Sequence, residues 1–165
     1  MQRDVSNGNG PVATARDAPG LAGVARGISR GVRRTLAALG RTTIEEMVLP
    51  DGRRADLVAL SADGAIEIVE IKSCTADFRA DRKWRHYFDY CDRLYFALDQ
   101  HTPLEIVPEE AGLILADPFG ARILRVGAES RLAAGRRKAM LVRFATVAAE
   151  RLHAVQDPRW RDPQM

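Results

Sequence analysis

The chain has 165 residues, 46% of them hydrophobic, which suffices for one sizeable buried core and favours a single domain over two. No apolar run nears the roughly 20 residues that a membrane-spanning helix needs, and no basic-then-apolar leader opens the chain, so a soluble cytoplasmic protein is expected. The net charge of +3 is too slight to require a polyanionic partner, but it is unevenly spread: residues 1–40 and 129–151 each carry +4, whereas residues 41–128 carry −5.

Basic flanks around an acidic centre suit a site that holds a metal ion and still attracts phosphate. Solvated helix faces would explain either flank taken alone. Cys74 and Cys91 form no CxxC pair, so both thiols are expected to be reduced.

In chain order, residues 1–20 mix Gly, Asn, Asp and Pro without periodicity and predict a disordered arm. Leu21, Val24, Ile28, Val32, Leu36 and Leu39 then recur at three- and four-residue steps, and Gly40 supplies a stop, so an amphipathic helix is predicted. Arg26, Arg30, Arg33 and Arg34 fall on its other face, where they could track a phosphate backbone or simply be solvated. Strands follow over 42–49, 54–60 and 65–72, divided by the turns Pro50-Asp51-Gly52 and Ser61-Ala62-Asp63-Gly64. This makes a three-stranded meander.

A helix is predicted from Ala76 to about Cys91, with Trp84 and Phe88 in the core, and Leu94 to Leu98 reads as a buried strand reached by a crossover. Residues 103–110 predict a loop or short helical turn. Strands over 112–116 and 122–126 flank Asp117-Pro118-Phe119-Gly120 as a hairpin. A last helix is predicted from about Ser130 to Leu152, with Met140, Phe144, Val147 and Ala148 inward, and residues 153–165 should fray. One domain over 21–152 is the expected organisation.

Chemistry concentrates in Asp56 and in Glu70-Ile71-Lys72. Alternation along a strand puts Ile66, Ile68, Glu70 and Lys72 on one face, with the Cα atoms of Glu70 and Lys72 roughly 6.6 Å apart. If the hairpin turns through the three-residue loop Ala62-Asp63-Gly64, Ser61 closes opposite Ala65 and Asp56 falls directly opposite Glu70. Cβ atoms so paired lie roughly 4.5–5.5 Å apart, close enough for two carboxylates to grip one hard cation, with Lys72 as a positive neighbour. A two-residue loop would turn Asp56 away. Asp and Glu-x-Lys also occur on exposed strands as mutual ion pairs, but the apolar neighbours here make unpaired charge expensive. Glu46 is a candidate further ligand or water-orienting base, Glu45 is expected on the opposite face, and only one of the two can serve. His86, His101 and His153 show no metal or triad spacing and are expected at the surface.

At these residues the sequence resembles the PD-(D/E)xK nuclease superfamily, with Asp56 as the motif Asp, Glu70-Ile71-Lys72 as Glu-x-Lys, and Ala55 where the motif has Pro. More closely, Glu46 to Ala97, including residues 77–84 and 90–97, is similar to the MmcB-type family of bacterial DNA-repair endonuclease candidates. The likeness extends through Pro108 to Leu113 and Arg131 to Met140. It implies an α/β fold with a restriction endonuclease-like αβββαβ core, a mixed central sheet flanked by helices, and a C-terminal hairpin and helix. It further implies DNA as partner, and a site at which Asp56, Glu70 and the Ile71 carbonyl bind Mg²⁺ or Mn²⁺ and Lys72 stabilises charge on phosphorus. Arg54, Lys83, Tyr87, Tyr90, Arg30 and Arg33 are then the candidates for nucleic-acid contact, although core packing serves the two tyrosines as well. A DNA-binding or scaffold protein that keeps the fold without cutting, and a nuclease acting on RNA, remain open at this point, as do the oligomeric state, homodimer included, and any association with other repair proteins.

Overall fold

The apolar helix stripe and the meander are realised as a helix laid across a sheet. A computed structural model describes residues 20–80 and 84–158; the expected arm over 1–20 lies almost wholly outside the described residues, as do Lys83 and residues 159–165. Helix α1 spans Leu21–Ala38, and β1 Arg41–Val48, β2 Arg54–Ser61 and β3 Ile66–Lys72 follow it. After the short helix α2 (Thr75–Ala80) come β4 (Arg93–Leu98), β5 (Gly112–Ala116), β6 (Ala121–Arg125) and the long helix α3 (Ala134–Gln156). The six strands form one mixed sheet in chain order. β3–β4 and β4–β5 are parallel pairs, while β1–β2, β2–β3 and β5–β6 are antiparallel.

The two sheet faces bury different partners. Ile28, Val32 and Leu36 of α1 pack on Leu57, Val69, Tyr95 and Ile114. On the other face Val58, Ile68, Phe96 and Leu98 meet Trp84, Tyr87 and Met140. Phe96 lies at the centre of that second layer, edge-on to Phe78 and Trp84 at 4.9 and 5.7 Å between centroids. The stripe of α1 is shorter than predicted, since Leu21 and Leu39 at its ends are exposed. Gly40 ends the helix at φ +75°, a conformation that suits glycine.

Two predicted helices are corrected. The helix expected over 76–91 is two shorter pieces, α2 and a 3₁₀ segment over Trp84–Asp89. A 3₁₀ turn eclipses residues three apart, and Trp84 and Tyr87 are the pair it buries together. The last helix begins at Ala134 rather than Ser130, because Ser130 and Leu132 donate their N–H groups to the backbone carbonyl and the carboxylate of Asp92 and stay extended. It also runs on to Gln156, past the fraying expected from residue 153, and of its predicted inward residues Met140 is buried, Phe144 and Val147 are partly so, and Ala148 is exposed.

Asp92 fastens β3, β4 and α3 together. Its carboxylate accepts the Ile66 and Leu132 N–H groups at 2.9 and 3.1 Å and two bonds from Arg137 at 2.7 and 2.6 Å. Burial alone would raise this carboxyl, but the guanidinium and the two N–H groups outweigh it and hold the group below its ordinary value. Asp92→Asn should therefore cost about 2–4 kcal/mol in urea melts near neutral pH. Because the folded value is depressed, this stabilisation is whole above about pH 4 and is lost as pH falls through the lowered value, so the two proteins should converge in acid.

A second fastening joins α1 to the β5–β6 turn. A Cβ on Gly31 would lie 1.9 Å from the Asp117 carbonyl oxygen and 2.5 Å from that of Gly120. Alanine would favour the helix by roughly 1 kcal/mol, but the backbone collision is larger. Gly31→Ala should lower the melting temperature rather than raise it.

Candidate functional site

The hairpin between β2 and β3 places the candidate residues. Gly64 stands at φ +84°, Gly64 N–H donates to the Ser61 carbonyl at 2.9 Å, and Ser61 N–H to that of Ala65 at 3.0 Å. From this closure the ladder runs from Leu60 opposite Ile66 to Leu57 opposite Val69, and there it ends. Continued by one step, the register sets Asp56 opposite Glu70. Instead of a further backbone pair, side chains take over. The Asp56 carboxylate accepts the Ile71 N–H at 2.8 Å, and the Glu70 carboxylate accepts the Asp56 N–H at 3.3 Å. Two carboxylates from neighbouring strands are thus interlocked through the backbone.

Lys72 completes the group from the same strand face as Glu70. Its Nζ lies 3.7 Å from Glu70 Oε2 and 6.0 Å from the centroid of the Phe96 ring. Glu70 and Lys72 are 3% and 6% exposed, so each charge depends on its neighbours rather than on water. Asp56 is half-buried. All three open into a cavity of about 440 Å³ beneath α1, which contributes Arg26 and Ser29 to the wall.

Strand β1 supplies the remaining wall, and here the expected alternation fails. Glu46 adopts φ +50°, and the β1–β2 ladder omits the Glu46–Asp56 position. The distortion shifts the phase of the strand: Ile44 and Met47, three apart, share one buried cluster. Glu45 and Glu46 therefore both line the cavity, instead of facing opposite ways. Neither is disposed as a third carboxylate beside Asp56 and Glu70. The Glu45 carboxylate accepts Ser29 Oγ at 2.5 Å and Arg33 at 2.6 Å, while Glu46 pairs with Arg54 at 2.5 Å. Among the described residues no group of three His, Cys, Asp or Glu side chains is gathered closely enough to hold a metal. The oxygen set on offer is two carboxylates and the carbonyl of Ile71. That carbonyl leaves the strand on the same side as the N–H bound by Asp56, as paired strand residues do.

The residues assigned to nucleic acid divide. Arg30 and Arg33 are exposed on α1, and Arg54 is exposed beside Glu46. Tyr87 is not available: it is 7% exposed within the core, and its hydroxyl donates to the Arg54 carbonyl at 3.3 Å. Tyr90 is partly buried against the same core, and Lys83 lies outside the described residues. The three histidines are exposed, and both cysteines are free, with burial pushing the Cys91 thiol far up.

Ser29 enters the wall with no signal in the sequence, beside Arg26 and Glu45. The spacing of Arg26 and Ser29 puts them on one flank of α1, but nothing in the sequence says which strand that flank meets. Among the described residues no helix is long and apolar enough to cross a membrane.

The chain is similar to a solved structure, the SPO1766 protein of unknown function from Silicibacter pomeroyi, at 44% identity and a TM-score of 0.78, with 81% of this chain and 91% of that chain covered. No curated protein matches it. A family model described as DNA repair protein MmcB-like matches residues 13–159, so the chain belongs to the MmcB-like family of DNA repair proteins.

Proposed function

We propose that this protein hydrolyses phosphodiester bonds in DNA during repair, with Asp56, Glu70 and Lys72 as the reacting site and Mg²⁺ or Mn²⁺ as the ion. The observation that carries this reading is the pair of interlocked carboxylates, with an ammonium beside them, in a cavity walled by an arginine-bearing helix. Such a donor set is all oxygen and anionic, which suits a hard divalent cation. Asp56, Glu70 and the Ile71 carbonyl would hold the ion. When bound, it would polarise the phosphodiester and acidify an attacking water.

The protein's own groups do the rest. Backbone N–H bonds to Asp56 and Glu70 keep both carboxylates in place without the ion, so little reorganisation remains when substrate arrives. Lys72 puts a positive charge next to the phosphorus centre on which negative charge develops, in surroundings dry enough to strengthen it. Arg26 at the wall, with Arg30 and Arg33 on the exposed side of α1, would draw the DNA backbone towards an otherwise acidic cavity.

Purified protein with Mn²⁺ and branched, nicked, single-stranded and duplex DNA should nick at least one of these. Lys72→Ala should slow that reaction by on the order of 10²–10³-fold while DNA binding persists. Wild-type protein that binds DNA in Mn²⁺ and never cuts any of them would make it a binding or scaffold protein instead.

Metal binding has its own readout. Mn²⁺ at about a hundred times its dissociation constant should stabilise the wild type by about 2.7 kcal/mol, visible as a rise in melting temperature. Asp56→Asn should abolish the rise. An equal rise in both proteins would remove Asp56 from the ion's ligands.

A further inference from the structure

The turn between β5 and β6 displays an aromatic side chain in a way that the packing of the fold does not require. Phe119 is 80% exposed. Its turn is nevertheless among the most tightly held segments of the molecule. Asp117 Oδ1 accepts the N–H groups of Phe119 and Gly120 at 2.7 and 2.9 Å, and Asp117 N–H donates to the Gly120 carbonyl at 3.0 Å. The Pro118 carbonyl accepts Arg30 Nε at 3.1 Å and Arg34 Nη1 at 3.3 Å, and Thr35 Oγ1 accepts the Ala121 N–H at 2.8 Å. Gly31 is pressed against the carbonyls of Asp117 and Gly120, so the backbone of the turn is seated on α1. A large apolar side chain held out in water on a rigid support is placed for a ligand.

Helix α1 says which ligand. At 3.6 residues per turn, the order around its exposed side from the cavity is Ser29, Arg33, Arg26, Arg30, Arg34 and then Gly27 and Gly31, which meet the turn. Ser29 and Arg26 wall the cavity, and Gly27 and Gly31 touch Pro118 and the turn backbone. The charged residues on the arc between the two are therefore all arginine, Arg33 among them paired with Glu45, and α1 contains no acidic residue. A guanidinium has five N–H donors, so the single bonds that Arg30 and Arg34 make to Pro118 leave most of them free for phosphate.

We propose that a single DNA strand crosses α1 on this arc, and that Phe119 stacks on one of its unpaired bases a few nucleotides from the phosphate that reacts beside Lys72. Crossing a helix takes roughly 10–12 Å, a span that a few nucleotides of an extended strand can cover. Every base offers a π-face, so this contact favours unpaired strands without selecting a sequence. The inference deepens the nuclease reading and rests on it for the position of the reacting phosphate, but the stacking itself does not depend on cleavage.

The test uses the full chain and a single-stranded oligonucleotide carrying 2-aminopurine, without divalent metal so that nothing is cut. Phe119→Ala should weaken binding by about five- to a hundredfold and remove the quenching of 2-aminopurine seen with the wild type, and Phe119→Trp should restore both. The exposed ring contributes little to folding, so the alanine variant should melt with the wild type. Unchanged affinity and quenching in Phe119→Ala would overturn the proposal, as would an unchanged DNA affinity together with loss of binding to a repair protein. Cleavage by the wild type with an indifferent Phe119→Ala sinks stacking alone. Phe119-dependent binding without any cleavage sinks the hydrolytic reading and leaves stacking in place.

Discussion

Everything at the cavity follows from the point at which β2 stops pairing with β3. Past Leu57 and Val69 the backbone ladder ends, and N–H groups at Asp56 and Ile71 need other acceptors. Leaving a buried N–H without a partner is costly, and here the carboxylates of Glu70 and Asp56 fill the role. The exchange has a chemical consequence. A carboxylate that replaces a ladder acceptor is fixed in direction by a charge-assisted bond, and its second oxygen can face another group, as Glu70 Oε2 faces Lys72. Had the ladder run on, Ile71 would have been satisfied by backbone and Asp56 would have been an ordinary strand side chain. The positive φ of Glu46 in β1 belongs to the same break, since it lies opposite Asp56 and is where the first ladder also lapses. Backbone strain of this kind persists where the surroundings over-determine it.

Those surroundings are rigid on two sides. α1 is held against the β5–β6 turn by backbone contact at Gly31 and by Thr35, so its position over the cavity is set to a fraction of a side chain. On the opposite side of the sheet, Asp92 binds the start of β3 and, through Arg137, the first turns of α3. Strand β3 is thus anchored at its beginning by Asp92 and reaches the cavity at its end with Glu70 and Lys72. The break in pairing can be tolerated because neither neighbour of the cavity is free to slide.

The elements that were legible beforehand are those whose cause is local. Turn residues announced both hairpins of the meander, and Gly64 with its left-handed φ sets the register that puts Asp56 opposite Glu70. The helix stripe of α1 follows from periodicity, and the burial of β4 from its unbroken apolar run. What failed depends on contacts distant in sequence. The start of α3 was misplaced because Asp92, some forty residues earlier, captures the N–H of Leu132. For Tyr87 the sequence leaves nucleic-acid contact and core packing both open, and the 3₁₀ winding decides for the core by burying it with Trp84. Glu45 and Glu46 were given opposite faces by strict alternation, which a single residue at positive φ suspends. No periodicity argument can anticipate that residue, because it is imposed by the pairing of three strands at once.

The charge distribution takes on a different meaning once the pairs are known. The basic ends of the chain do not simply surround an acidic middle; part of each folds back and neutralises it. Arg33 of α1 meets Glu45, and Arg136 and Arg137 of α3 meet Asp89 and Asp92. Within the middle segment itself, Arg41, Arg54 and Arg85 pair with Glu67, Glu46 and Glu110. Burial outweighs the attraction of Arg41 and still leaves the Glu67 carboxyl raised. Most of the acidic excess is therefore spent on structure, and the carboxylates facing the cavity are answered by Lys72 and by the α1 arginines. The side of α1 that looks outward keeps its positive charge. A phosphate chain approaching the molecule meets that arc before it meets Asp56 and Glu70, which is the order of encounter that a site with two carboxylates needs if it is to admit a polyanion at all.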